Sequence, residues 1–422
     1  MHRFLPLFFG ICCLGACRIA PLDPTTNSIL NLWIYTCRSG INVGCTTGSV
    51  DPPKSPVDDT PPAPPGACAS TSLEEVIQPN QWPKVQAELQ AQAALGSSGP
   101  PVANTFGAIG AISDAYRGAV LMKNGKILAI PYGAANQIEL DPDTLSTTVV
   151  GTPGGLYDWS GAVLGFDGNV EFIPSFRSSF ASLDPSTYLM TNYTTAPGFN
   201  SYVGGTMAPN GKLYPMPASA LNYKVVDPVA RTSTIFGLVP TDPSFAGGVL
   251  GPNGKIYGIP ARSSQFVEID PDANTAMFFG SFLISFSGKW AGGALAPNGK
   301  IYTMVDDYSM FAEINPNTPS FFLFGAAPGT ANAYSGAVLA PNGKIYGIPF
   351  NATSFVEIDP DTMTVNYFGT APGGGAWSGG VLAPNGKIYG MPYNANTFVE
   401  IDPKANGKIC DVILQSAYLN KF

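Results

Sequence analysis

An all-β ring of seven four-stranded antiparallel blades, a β-propeller, is predicted by three features of this chain. One phrase recurs seven times, clearest as Gly379-Gly380-Val381-Leu382-Ala383-Pro384-Asn385-Gly386-Lys387-Ile388-Tyr389-Gly390-Met391-Pro392 followed by Phe398-Val399-Glu400-Ile401-Asp402-Pro403. The Asn-Gly or Asp-Gly pair that marks each copy begins at Asn124, Asp167, Asn210, Asn253, Asn298, Asn342 and Asn385, in steps of 43, 43, 43, 45, 44 and 43 residues. A period of that length matches one propeller blade. The 48 glycines and 40 prolines suit short strands joined by tight turns, and 45% hydrophobic residues supply the core.

Along the chain, Met1-His2-Arg3 precedes an apolar run from Phe4 to Leu14 and then Leu14-Gly15-Ala16-Cys17. A short basic start, an apolar stretch too short to span a bilayer and small residues before a cysteine make an export signal. It resembles the bacterial lipoprotein signal, and that resemblance implies that residues 1–17 are a leader and lipobox, with Cys17 the acylated first mature residue. The alternative is an ordinary secretory signal with a chance cysteine. Residues 18–67 form a tether whose Pro-rich part, 51–66, is expected to be an extended spacer. Residues 68–103 form a short helical segment: Ser72-Leu73-Glu74-Glu75 has a helix-start pattern, and Trp82 to Leu95 is the one good helix candidate.

The propeller is assigned to residues 104–422. In the sixth repeat strand A is Gly336–Ala340, Pro341-Asn342-Gly343 is a tight turn, strand B is Lys344–Pro349, strand C is Ser354–Asp359 and outer strand D is Thr364–Phe368. Other D strands are placed at Thr147–Val150, Thr234–Phe236 and Lys408–Leu414. Asn104-Thr105-Phe106-Gly107 stands eleven residues before Gly118, as Gly369 stands eleven before Gly380. It therefore reads as a spare D strand that pairs with the last blade, competing with or flanking Lys408–Leu414.

Beyond Cys17 the mature chain holds Cys37, Cys45, Cys68 and Cys410, an even number in an oxidising context. Cys37 and Cys45 could close a small loop worth roughly 2.5 kcal/mol, and Cys68 with Cys410 could staple the ring where its ends meet. Free buried thiols are the alternative.

Composition excludes several chemistries. Only 12% of residues are charged and the net charge is −8, so no basic surface for nucleic acid is expected. The only histidine, His2, lies in the leader, which removes a histidine base, a Ser-His-Asp triad and histidine-ligated metal. Strand A should line the central channel, and stretches such as Gly118-Ala119-Val120-Leu121 and Gly205-Thr206-Met207 offer no carboxylate to hold a metal. No cofactor is expected.

The repeat resembles the propellers of virginiamycin B lyase, NHL-repeat proteins and gluconolactonases in blade layout. The lyase histidine and the lactonase metal ligands have no matching position, so no catalytic residue is carried over from that resemblance. The chain is more similar overall to bacterial lipoproteins with many Asn-Gly-Lys-Ile-Tyr-Gly repeats, a group without an assigned role. Kelch repeats share the Gly-Gly pair but place their Tyr and Trp at other spacings.

Two recurring positions could bind something. Asp141, Asp184, Asp227, Asp270, Asn315, Asp359 and Asp402 begin the C–D turns, where such side chains cap turn amides; calcium is the competing use, although each site offers only one or two carboxylates. Before each glycine doublet stands an aromatic: Tyr116, Trp159, Tyr202, Phe245, Trp290, Tyr334 and Trp377. On the D–A connections these could ring the ligand face and stack on a sugar, an apolar group or a cation. They could equally wedge between blades, and their presence in all seven copies favours the wedge.

The expectation is a monomeric, lipid-anchored binding or interaction module of the cell envelope, on the outer membrane or cell surface, with a protein or carbohydrate ligand. A histidine-independent lyase or lactonase and a purely structural surface protein are the alternatives.

Overall fold

The computed structural model describes residues 66–70, 72–152, 154–239, 244–282 and 288–420. The leader, Cys17, Cys37, Cys45 and the Pro-rich spacer lie outside the described residues. Seven four-stranded antiparallel sheets follow one another around a ring. Blade 1 is typical, with strand A at Tyr116–Leu121, B at Ile127–Pro131, C at Gln137–Leu140 and D at Thr147–Gly151. Every B strand is buried along its whole length, because neighbouring blades cover both of its faces. Outer strands such as Thr364–Phe368 are largely exposed, having solvent at one edge.

Each strand A is bulged at the glycine two residues after its aromatic. In blade 1 Tyr116 pairs with Pro131 and Ala119 with Ala129, so two residues oppose one. Gly118, Gly161, Gly204, Gly247, Gly292, Gly336 and Gly379 all have φ between 62° and 152°, the region glycine tolerates best. A side chain at Gly336 would also meet the Gly379 backbone of the next blade at 3.2 Å. That glycine is therefore a structural requirement of the inner ring.

The Asn-Gly-Lys-Ile-Tyr core of the repeat is a latch between blades. Asn253 Oδ1 accepts from the Lys255 amide at 3.2 Å, which shapes the A–B turn, while its Nδ2 donates to Tyr257 Oη at 2.9 Å and to the Pro316 carbonyl of the next blade at 3.0 Å. Tyr257 Oη lies 2.8 Å from Glu268 Oε2 and 3.0 Å from the same Pro316 carbonyl, and Lys255 Nζ donates to Glu268 Oε1 at 2.6 Å. Asn298, Asn342 and Asn385 repeat the pattern, and Asn385 reaches Pro142 of blade 1, closing the ring. Blade 1 has Leu128 in the tyrosine position, and Tyr188 of blade 2 supplies the hydroxyl to Glu139 instead. In blade 2 Glu171 occupies that position and accepts from Ser182 at 2.8 Å and Tyr193 at 2.6 Å.

Lys408–Leu414 is not the outer strand of blade 7. That place belongs to Val102–Ala108, paired antiparallel from Val102↔Asp402 to Ala108↔Thr397, so the N-terminal strand closes the ring. The reason lies in side chains. Phe106 stacks on Phe398 at 5.6 Å and Gly107 has φ 57°, as Phe368 stacks on Phe355 at 5.5 Å and Gly369 has φ 58°. After Asp402 the chain bridges Ala405 to Ser97, and Asp411–Leu414 forms a helical turn with Ile413 and Leu414 buried.

That turn belongs to a cap over the face bearing the A–B turns. The cap comprises α1 (Leu73–Val76), begun by Ser72 Oγ accepting from the Glu75 amide at 3.1 Å, α2 (Trp82–Ala94) and the C-terminal α3 (Asp411–Leu414). Gln78 donates to the Pro209 carbonyl at 2.9 Å and Gln86 to that of Pro297 at 2.9 Å, while Asn420 exchanges bonds of 2.8 and 2.7 Å with Leu121. Trp82 meets Tyr418 edge to face at 5.3 Å. A Cys68–Cys410 disulfide, Cα atoms 5.8 Å apart, joins the two ends of the cap across 342 residues.

Candidate functional site: the open mouth of the ring

With the A–B turn face capped, the D–A and B–C loops frame the other end of the channel. The seven repeat aromatics are not there as a ligand ring. Tyr116, Trp159, Tyr202, Phe245, Trp290, Tyr334 and Trp377 are each at most 1% exposed. They open strand A with their rings turned into the seams between blades: Trp290 stacks on Phe266 of the preceding blade at 5.4 Å, and Trp377 on Phe355 at 6.0 Å. Two of the three indoles are satisfied locally, Trp290 Nε1 by the Met310 carbonyl at 3.0 Å and Trp377 Nε1 by that of Thr397 at 2.8 Å. Burial pushes the hydroxyls of Tyr116, Tyr202 and Tyr334 well above the usual phenol range. They are wedges.

The mouth is made by residues one step further on. Following the wedge, the position facing the channel holds Val203, Ala246, Ala291, Ser335 and Ser378 in five blades and Arg117 in blade 1, while Ser160 of blade 2 is buried and donates to the Ile173 carbonyl. Five small side chains leave the channel mouth open, and one cation projects there. Arg117 lies over the Tyr132 ring at 5.1 Å, and among the described residues its guanidinium makes no ion pair.

The B–C corners complete the wall. The residue after the last residue of strand B is Tyr132, Ser175, Ala218, Ala261, Asp306, Phe350 or Tyr393, so this position breaks the sevenfold pattern. A continuous arc of rings results, running Phe350, Tyr393, Tyr132, Tyr157, Phe176 and Phe199, with successive centroids 5.2, 6.2, 4.9, 6.4 and 5.6 Å apart. Phe199 is 79% exposed and, like Tyr157, has positive φ, 55° and 65° respectively. Exposed aromatics held in a left-handed conformation carry a conformational cost that packing does not offset. The cavity has a volume of about 470 Å³ and narrows into the glycine-lined channel.

On the opposite side, blades 4 and 5 contribute Arg262 and Asp306. Burial, reinforced by the neighbouring Asp307, raises the Asp306 carboxyl to about 7. Lys289 Nζ donates to the Arg262 carbonyl at 3.0 Å. Sequence reasoning missed this site because repeats were compared for what they share. The signal was available as the one position after strand B that differs from blade to blade.

The C–D turn carboxylates act on the backbone. Asp141 Oδ1 accepts from the amides of Asp143 and Thr144 at 3.0 and 3.2 Å, and Asp184, Asp227, Asp270, Asn315, Asp359 and Asp402 make equivalent bonds. Among the described residues no group of three or more His, Cys, Asp or Glu side chains could hold a metal ion.

No protein-family model matches the chain, and no curated protein is similar to it in sequence. Solved structures are. A streptogramin B lyase superposes with a TM-score of 0.60 at 14% identity, over 72% of this chain and 97% of that one. A catalytically inactive virginiamycin B lyase from Staphylococcus aureus with quinupristin gives 0.62 at 13%, over 71% and 99%. The extracellular domain of a putative hybrid two-component system from B. thetaiotaomicron gives 0.57 at 12%, over 72% and 43%. At these identities the likeness is one of architecture: the chain has the seven-bladed β-propeller fold that those lyases and that extracellular domain share.

Proposed function

We propose that this protein is a ligand-binding module of the bacterial cell envelope, anchored by lipid on Cys17, that takes its ligand into the open mouth of the propeller. One observation carries the reading. One face of the ring is occupied by the protein's own cap, whereas the other opens on a cavity whose wall departs from the repeat at the corner residues. Six of the seven corner residues line the cavity rather than a seam between blades, so their differences are not dictated by blade packing. The likeness to extracellular sensor domains and the absence, among the described residues, of a helix long and apolar enough to cross a membrane accord with display at the cell surface.

A thermal-shift screen of small molecules, peptides and glycans on the full chain tests the mouth. Compounds that raise the melting temperature should lose that effect in Tyr132→Ala and Tyr393→Ala and keep it in Gln86→Ala, which alters the cap. Hits that behave alike in all three variants would refute the site. The anchor is tested separately, since Cys17→Ser should move the protein from the membrane to the soluble fraction.

Asp306 favours a second reading. A carboxyl that titrates near neutrality in a cavity can serve as a proton donor or acceptor, as a lyase or lactonase without histidine requires. Turnover of a hit by the parent and not by Asp306→Asn would support catalysis; binding without product would leave a binding module.

A further inference from the structure

We infer that the ligand taken by this mouth is an acidic oligosaccharide, a short chain of sugar rings whose uronic-acid carboxylate pairs with Arg117. The inference rests on the mouth being the binding site and adds the chemical class. Arg117 is the first constraint. It is the one charged residue at its layer of the seven-bladed ring and is partly buried; it lies over the ring face of Tyr132 at 5.1 Å and makes no ion pair among the described residues. A partly buried guanidinium that makes no ion pair gains when an arriving carboxylate supplies two parallel N–H···O bonds. A neutral ligand filling the mouth would desolvate the guanidinium and return only weaker, uncharged hydrogen bonds.

The aromatic arc is the second constraint. Stacking on tyrosine and phenylalanine faces suits ring-bearing ligands, and sugars present an apolar C–H face to such rings. Consecutive rings of the arc are inclined to one another by 23° to 75°. One rigid aromatic acid has a single plane and cannot follow those turns. Sugar units joined by rotatable linkages can.

Neutral hydroxyls are the third. Next to Arg117 around the ring, Ser378 and Ser335 share a hydrogen bond of 3.1 Å, and Ser219 and Asn200 line the same cavity. Groups that both donate and accept keep further hydrogen-bonding capacity for sugar hydroxyls, which an apolar peptide would not use. The acidic group lining the cavity, Asp306, stands three blades from Arg117; held near neutrality by burial, it can donate to a sugar oxygen. A volume of about 470 Å³ has room for more than one sugar ring.

The test is calorimetric titration of the full chain with trimers of galacturonate, glucuronate and mannuronate and with their methyl esters. Esterification removes the charge and keeps the rings, so no variant need fold for this comparison. At least one free acid should bind, and its ester at least tenfold more weakly. Arg117→Gln should weaken the acid at least tenfold while leaving the ester unchanged, and Tyr132→Ala should weaken both. Equal binding of acid and ester, or failure of all three acids, overturns the acidic class. A neutral glycan or peptide that binds and is lost in Tyr132→Ala overturns the class and keeps the mouth as the site. Uronate binding indifferent to both Arg117→Gln and Tyr132→Ala overturns class and site together.

Discussion

Replacing Trp377 by alanine should lower the unfolding free energy by about 3–5 kcal/mol, the cost of emptying a buried aromatic site. The indole is 1% exposed, lies in the seam between blades 6 and 7 against Phe355, and donates to the Thr397 carbonyl at 2.8 Å. Collapse around the void is limited, because the two blades are also tied by Asn342, which donates to the Pro403 carbonyl. Trp377→Phe keeps a ring in the slot and forfeits the hydrogen bond, for about 1–2 kcal/mol. Trp159 is an internal control. Its indole N–H has no partner among the described residues, so Trp159→Phe should cost less than Trp377→Phe by about 1 kcal/mol. Guanidinium titration followed by far-UV circular dichroism is the assay, since the substitution removes a fluorophore. In a ring of this size each kcal/mol moves Tm by only about 2 °C, so the denaturant midpoint is the sharper readout. A parental midpoint and slope for Trp377→Ala would refute the wedge.

Deleting residues 102–108 should expose the Thr397–Asp402 edge, lower Tm and promote self-association on size exclusion; a parental melt would remove Val102–Ala108 from its place as the closing strand. Tyr257→Phe should cost about 1–3 kcal/mol by removing the hydroxyl's bonds with Asn253, Glu268 and the Pro316 carbonyl, and a cycle with Asn253→Ala should show coupling of at least about 0.5 kcal/mol, because both side chains serve one latch. The buried Glu171 carboxyl is raised to about 7, chiefly by desolvation, with the bonds from Tyr193 and Ser182 opposing. The folded state therefore binds more protons than the unfolded state between about pH 4.5 and 7, so stability falls as pH rises through that window, by up to about 3 kcal/mol, and is level above it. Denaturant midpoints measured from pH 4.5 to 8 should decline less steeply in Glu171→Gln.

Whatever recurs in the chain was legible beforehand. Glycine doublets, Asn-Gly turns and Asp-Pro turns each answer to local backbone geometry, so they mark strand ends wherever they appear. The closing strand was visible for the same reason, as Phe106-Gly107 repeats the Phe-Gly ending of strand D. Lys408–Leu414 was misassigned because it begins where a D strand should, and only the packing of Ile413 and Leu414 into the cap explains its helical turn. The seven wedges were visible as a set, but their burial depends on the angle between blades, which no local pattern records. The mouth was hidden for a further reason. Arg117 and Tyr132 are read as deviations from a consensus, and deviations gain meaning only when the ring brings Phe350, Tyr393 and Tyr132 side by side. The Asn–Tyr–Glu latch likewise joins residues some 60 positions apart, and its use of Tyr188 from blade 2 compensates for the tyrosine that blade 1 lacks.

The central claim, that the protein binds through the one uncapped end of its channel, is tested most directly by hydrogen–deuterium exchange of the full chain with and without a stabilising compound from the thermal-shift screen. The account predicts slower exchange in segments 116–118, 131–134 and 392–395, which carry Arg117, Tyr132 and Tyr393, with the cap helices unchanged. Protection confined to α1, α2 or the outer strands, with those three segments unaffected, would contradict it.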